Sequence, residues 1–162
     1  AATIEYLNEN KGVARLPGIL ILGYIAGYDG QTAMSIITSK GIAVLKDSLI
    51  QVPDDLVKGG AAWALGQIGG HTPEHARLVA EEETLTHLLA VYLYKDSTEE
   101  LKTKARKAIK NIVKMCLVMQ PLEALIYDSP PDILKYILQQ FASILPKDKE
   151  AKKYFLPYED RL

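Results

Sequence analysis

One stretch, Lys58 to Arg77, constrains the fold more than any other. Its first half is Lys58-Gly59-Gly60-Ala61-Ala62-Trp63-Ala64-Leu65-Gly66-Gln67-Ile68-Gly69-Gly70, mostly small residues. A helix so poor in bulk lets neighbouring helices approach closely, which predicts a place at the centre of a packed stack. Ala62, Leu65, Ile68 and Gly69 recur at steps of three and four and so share one face. Trp63 and Gln67 are four apart on a different face. Gly69-Gly70 reads as a stop with freedom for a left-handed turn. Thr72 then reads as the cap of a new helix, with Pro73 its first residue.

The remaining chain must supply what packs around this helix. The chain has 162 residues, 48% of them apolar, enough for one domain or a short run of repeats. A net charge of -1 argues against nucleic-acid or membrane binding through global charge. The longest apolar run, Gly18 to Ala26, is about half of what a bilayer needs. No signal-peptide pattern opens the chain, and the first residue is not Met, so the sequence reads as a fragment of a longer protein. The lone Cys116 forbids an internal disulfide and fits a reducing compartment. It reads as a small core residue, since no Cys-His signature surrounds it.

Along the chain, every segment reads as helix or turn. Residues 1–9 look like the tail of a helix. Val13 to Tyr28 reads as one apolar helix, bent near its start by Pro17-Gly18. Asp29-Gly30 breaks it, and helices follow over Gln31 to Thr38 and Ile42 to Ile50. Asp54 caps the central helix. After Pro73 come a short helix and another from about Glu83 to Tyr94. Ser97-Thr98-Glu99-Glu100 has the form of a capping box with Ser97 as cap, opening a long helix to about Cys116. Gln120-Pro121 begins a short helix through Ile126. Ser129 caps a helix with Pro130 in its first position, running to Leu145 and stopped by Pro146. Lys147 to Phe155 reads as a last short helix, and Tyr158 to Leu162 as frayed.

The order short, medium, long repeats. Leu22-Gly23-Tyr24-Ile25, Leu65-Gly66-Gln67-Ile68, Ile109-Lys110-Asn111-Ile112 and Phe141-Ala142-Ser143-Ile144 match, at spacings of 43, 44 and 32 residues. The first two fall in the period of roughly 40–47 residues of armadillo and HEAT repeats. The third is short because only one short helix fits between Gln120 and Pro130. The predicted fold is therefore all-α, an armadillo-type right-handed superhelical solenoid. It is one array with units of about residues 1–39, 40–82, 83–128 and a truncated 129–157. Each unit buries its apolar stripe by stacking on the next, and the third helix of each lines an extended groove. Aligned on the repeat, the groove positions are Leu20 and Tyr24, Trp63 and Gln67, Lys107 and Asn111, Gln139 and Ser143.

Trp63 and Gln67 stand where peptide-binding armadillo proteins carry a Trp and, four residues on, an Asn. The Asn bonds the peptide backbone, and the Trp makes slots for the aliphatic stems of basic side chains. Here Gln67 replaces the Asn, and Asn111 in the next unit is paired with Lys107 instead of Trp. A nuclear-import adaptor of the importin type would need such Trp–Asn pairs in tandem. Equally, Trp63 can simply pack on its neighbour. Lys107, Lys110 and Lys114 share a face at steps of three and four, which is either a solvated face or a seat for an acidic segment. His71-Thr72-Pro73-Glu74-His75 has the His-x-x-Glu-His form of some zinc peptidases. Pro73 and the Gly69-Gly70 stop put His71 in a linker, off the face of His75, so no metal is expected. The glycines are not a phosphate loop, because no Gly-Lys-Ser/Thr follows. Neither an enzyme nor a cofactor is implied.

Four stretches carry a specific resemblance: Lys11 to Ile19 with Leu22-Gly23-Tyr24, Ala62 to Arg77, Lys107 to Ile112, and Tyr127 to Lys135. In this order and spacing the chain resembles the sperm-associated antigen six family of armadillo-repeat proteins, from about residue 11 to residue 157. Gly70 departs from the basic residue expected there, and the chain stops at Tyr158 to Leu162 where the family continues. The resemblance implies a C-terminal part of the family's array. It also implies a non-enzymatic scaffold in the central apparatus of the axoneme, needed for central-pair integrity and flagellar beating. The implied partners are the central-pair microtubule, its tubulin and associated axonemal proteins. Apolar ends of such an array predict self-association, by dimerisation or end-to-end stacking.

Overall fold

The computed structural model describes residues 2–147. Ten α-helices occur among the described residues: α1 (Ala2–Glu9), α2 (Leu16–Tyr28), α3 (Gly30–Thr38), α4 (Gly41–Gln51), α5 (Asp55–Gly69), α6 (Pro73–Glu81), α7 (Thr84–Leu93), α8 (Glu99–Met115), α9 (Met119–Glu123) and α10 (Pro131–Ile144). The last short helix expected over Lys147 to Phe155, and the frayed end after it, lie outside the described residues beyond Lys147. The triplets α3–α4–α5 and α6–α7–α8 each run short, medium, long. Equivalent helices stack on one another: α3 on α6, α1 on α4 and α4 on α7, and α2, α5, α8 and α10 in succession. Three ladders result, and the long-helix ladder forms one face of the array. Dividing the chain after residues 39, 82 and 128 cuts the same ladders one helix later.

The central helix α5 packs against both α2 and α8. Ten of its fifteen residues are buried, including Gly59, Gly60, Gly66 and Gly69. Its glycines serve close approach. A methyl group added at Gly69 would stand 2.6 Å from Cγ1 of Ile112 in α8. Gly70, expected to turn left-handed, instead has φ -83° and extends the helical backbone. Left-handed backbone occurs at Gly12 (φ 58°) ahead of α2 and, linking the short to the medium helix in both complete triplets, at Lys40 (φ 64°) and Glu83 (φ 58°). Lys40 and Glu83 are 43 residues apart, so the repeat is present even in its linkers.

Helix starts follow the caps, with three corrections. Asp29, Asp54, Thr72 and Thr98 each accept a backbone N–H through a side-chain oxygen. Asp54 takes two, from Leu56 at 2.9 Å and Val57 at 3.0 Å. Replacing Asp54 by alanine is expected to cost about 1 kcal/mol, read as a lower urea midpoint. The hydrogen bond from the Thr32 amide holds the Asp29 carboxyl below the usual carboxylate range. The cap of α8 is Thr98 and not Ser97, whose buried hydroxyl donates to the Val91 carbonyl at 2.8 Å. The Thr98 amide is satisfied by Asp55 of the preceding unit at 2.8 Å, which does across units what a capping box does locally. Likewise Pro130, not Ser129, is the residue before α10, and Pro131 opens it. At the other end, Val13 to Tyr28 is not one bent helix. Gly12–Arg15 form a 3-10 turn and α2 starts at Leu16, with Pro17 in its first turn, where a missing N–H costs nothing. The short helix α9 ends at Glu123, before the expected Ile126, and turns fill 124–128.

Two polar ties lock neighbouring units. Arg15, 8% exposed, donates to Asp47 at 2.5 Å, to Ser48 at 3.1 Å and to the Asn10 carbonyl at 2.8 Å. Tyr92 on α7 donates to Asp132 in the first turn of α10 at 2.6 Å, and that bond raises its own pKa. No helix of the described residues is long and apolar enough to cross a membrane.

Candidate functional site

The long-helix ladder carries every groove position read from the sequence. Tyr24 on α2, Trp63 and Gln67 on α5, Lys107, Lys110, Asn111 and Lys114 on α8, and Gln139 and Ser143 on α10 occupy successive rungs. Tyr24 is 73% exposed and the α8 and α10 positions are exposed, whereas Trp63 and Gln67 are half-buried. The reason lies in α2. Gly23 offers no side chain, and the Trp63 ring lies where one would be; a methyl group there would meet the ring at 2.2 Å. Tyr24 then meets Trp63 edge to face, with centroids 5.0 Å apart. The Gln67 amide lies over Gly27 at ordinary contact distance, 3.6 Å from where a methyl group would stand. Trp63 therefore packs on the preceding unit while keeping part of its surface exposed.

The α8 rung is electrostatically distinct. Lys102 pairs with Glu99 at 3.6 Å and Lys104 with Glu100 at 2.7 Å, both along their own helix. Lys107, Lys110 and Lys114 have no carboxylate within ion-pairing distance among the described residues. A cleft of about 280 Å³ opens between α8 and α10, lined by Lys110, Lys114, Lys135, Tyr136, Gln139 and Gln140. The ammonium groups of Lys110 and Lys135 lie over one ring, that of Tyr136, at 5.7 and 5.6 Å from its centroid. Gln140 is buried and donates to the Cys116 carbonyl at 2.7 Å, which fixes α10 against the end of α8. Lys135, Tyr136 and Gln140 were missed by the repeat alignment. Their signal was the three-and-four spacing of Lys135, Tyr136 and Gln139 on the polar side of α10.

Two histidines, His71 and His75, hold units together. His71 and His75 are closer than the linker reading implied, with ring centroids 5.6 Å apart. Each is nonetheless engaged separately. His71 Nε2 donates to the Ala26 carbonyl. His75 Nε2 donates to the Gly30 carbonyl at 2.8 Å, and its Nδ1 meets the Thr72 hydroxyl at 2.7 Å. The His71 bond ties the α5–α6 linker to the end of α2, and the His75 bond to Gly30 ties α6 to the start of α3. No cluster of three or more His, Cys, Asp or Glu side chains of metal-binding geometry occurs among the described residues. Cys116 is buried, and that burial pushes its thiol pKa up, away from a reactive thiolate.

A ladder of long helices, with short and medium helices behind it and an exposed face of polar and aromatic residues in front, defines an armadillo-repeat solenoid. Solved structures agree on the fold. A designed armadillo repeat protein in complex with the peptide (KR)4 superposes with a TM-score of 0.65 at 19% identity, covering 98% of this chain and 69% of that one. Computationally designed armadillo repeat proteins for modular peptide recognition give 0.65 at 19% identity, over 96% of this chain and 68% of that one. An engineered protein gives 0.69 at 18% identity, over 96% of this chain and 40% of that one.

Within that class, the chain is a homologue of sperm-associated antigen 6. It is 50% identical to the human protein and 49% identical to the mouse protein over 108 residues, 67% of this chain. The match covers 21% of each, so the chain spans about a fifth of the length of these curated relatives. No protein-family model matches it.

Proposed function

We propose that this chain is part of a rigid, non-enzymatic scaffold of the axoneme central apparatus. In this reading its groove holds a segment of a neighbouring axonemal protein, and the array contributes to central-pair integrity and flagellar motility. The observation that carries the proposal is the 50% identity to human sperm-associated antigen 6. The groove residues are Tyr24, Trp63, Gln67, Lys107, Lys110, Asn111, Lys114, Gln139 and Ser143, with tubulin or a central-pair protein as partner. The mechanism is mechanical. A ladder buried along its length transmits load between units, and the groove offers side chains at fixed spacing. Immunogold labelling of the full-length protein in detergent-extracted flagella tests the proposal. Label along the central pair supports it; label confined to nucleus or soluble cytoplasm removes it.

We also propose that the α2 end self-associates. Ile21 and Ile25 are 48% and 41% exposed, whereas their repeat equivalents in α5, Ala64 and Ile68, are fully buried by the preceding unit. Tyr28 extends the same patch at 84% exposure. Light scattering is expected to show mass rising with concentration, and a constant monomer mass would refute this.

A further inference from the structure

We infer that the groove is divided into two chemically different halves, and that the α8–α10 half is a seat for an acidic, extended peptide segment. The inference rests on the groove-binding reading and deepens it by assigning the ligand chemistry to one cleft. Over α2 and α5 the surface is aromatic and aliphatic, with Tyr24 edge-on to Trp63 and Leu20 exposed beside them. Over α8 and α10 it is cationic and amide-bearing. The whole chain has a net charge of -1, so this cationic character is local segregation and not a property of the composition.

Three observations point to a carboxylate-bearing occupant. The lysines of α8 divide by position: Lys102 and Lys104 are neutralised by glutamates of their own helix, and the three on the groove side are not. Lys110 and Lys135 come from different helices yet both lie over the Tyr136 ring, and neither has a carboxylate within ion-pairing distance among the described residues. The space between them is a cleft of about 280 Å³, and Gln139 adds a side-chain amide that can bond a peptide backbone. Neighbouring helices stand about 8–10 Å apart. Side chains on one face of an extended peptide recur about every 7 Å. Two alternate acidic residues can therefore reach lysines of both rungs at once.

The same geometry disfavours the ligand of the structural neighbour that is complexed with (KR)4. Unpaired lysines repel such a peptide across this half of the groove.

Fluorescence anisotropy with a labelled alternating Asp/Glu octapeptide, the charge inverse of (KR)4, tests the assignment on the full chain. Binding is expected, weakening as salt rises. The double variant Lys110→Glu/Lys135→Glu is expected to lose about tenfold or more in affinity, and Lys110→Ala/Lys135→Ala an intermediate amount. Lys95→Glu, a charge reversal in the exposed turn between α7 and α8 and outside the groove, is expected to leave the affinity unchanged, and the (KR)4 peptide to stay unbound. All three positions are exposed, and unchanged circular dichroism confirms folding. Equal affinity in the charge-reversed variant overturns the assignment. So does failure to bind the acidic peptide alongside capture of a neutral aromatic peptide that Tyr24→Ala abolishes; the groove reading would then stand without this one. Failure to retain peptides of any composition overturns both.

Discussion

Replacing Gly66 by leucine is expected to destabilise the protein by about 3 kcal/mol, at the upper end of overpacking costs. At Gly66 the backbone of α8 lies directly against α5. A single added methyl group would sit 2.9 Å from the Ala108 Cα and 3.1 Å from its Cβ. The obstacle is backbone, so no rotamer change relieves it and the two helices must separate. Separation loosens Ile109 and Ile112, both fully buried in the same seam. Alanine at Gly66 meets the same wall at smaller size, offset by about 1 kcal/mol of helix propensity, so a loss nearer 1 kcal/mol is expected. Gly27→Ala is the control. Its nearest neighbour would be the flexible Gln67 amide at 3.6 Å, an ordinary contact, so stability should hold or rise slightly. Urea denaturation of the three variants decides the matter. A Gly66→Leu protein as stable as the parent would mean that α5 and α8 are not in close contact.

Phe141→Ala is expected to cost about 3–5 kcal/mol, the range for emptying a buried aromatic site. Phe141 is 2% exposed on α10 and stands at the repeat position of Leu22, Leu65 and Ile109. The way the loss appears is as informative as its size. In a stacked array each unit contacts only its neighbours, so stability is a sum of local terms. Among the described long helices, α10 stacks on α8 alone, whereas α5 is held from both sides. Phe141→Ala should therefore release α10 first, with hydrogen exchange accelerating over residues 131–144 while amides of α5 stay protected. Leu65→Ala, of similar size but in the middle rung, should lower protection in α2, α5 and α8 together. Uniform acceleration in both variants would show that the array unfolds as one cooperative block.

Much of this was legible because helices announce themselves locally. Asp54 and Thr72 were read as caps from residue type alone, and both cap as expected. Asp29 and Gly30 marked a break that the structure places between α2 and α3. The repeat of Leu22, Leu65, Ile109 and Phe141 put four long helices in register, and those four form the ladder. The misses share a cause. Ser97 fits a capping box better than Thr98, but the box is completed by Asp55, 43 residues away. Gly70 carries the residue type of a left-handed stop, yet the left-handed links between short and medium helices are Lys40 and Glu83. His71 and His75, read only as a linker residue and part of a capped helix start, reach the carbonyls of Ala26 and Gly30, each 45 residues away, which no local pattern signals.

What the sequence by itself determined is the set of helices, their order and their period, because capping, proline placement and apolar spacing act within a few residues. It also determined the glycine-rich seam, since only small residues allow helices to come so close. What the tertiary structure decided is which partner each polar group takes and what each groove residue faces. Lys110 was visible as one of a row of lysines. That it shares the Tyr136 ring with Lys135 depends on how α10 stacks on α8. Trp63 was visible as a groove residue, and its half-burial follows from the missing side chain at Gly23, forty residues earlier. Such pairings join residues far apart in sequence, and they exist only once burial of the apolar stripes has set the units in register.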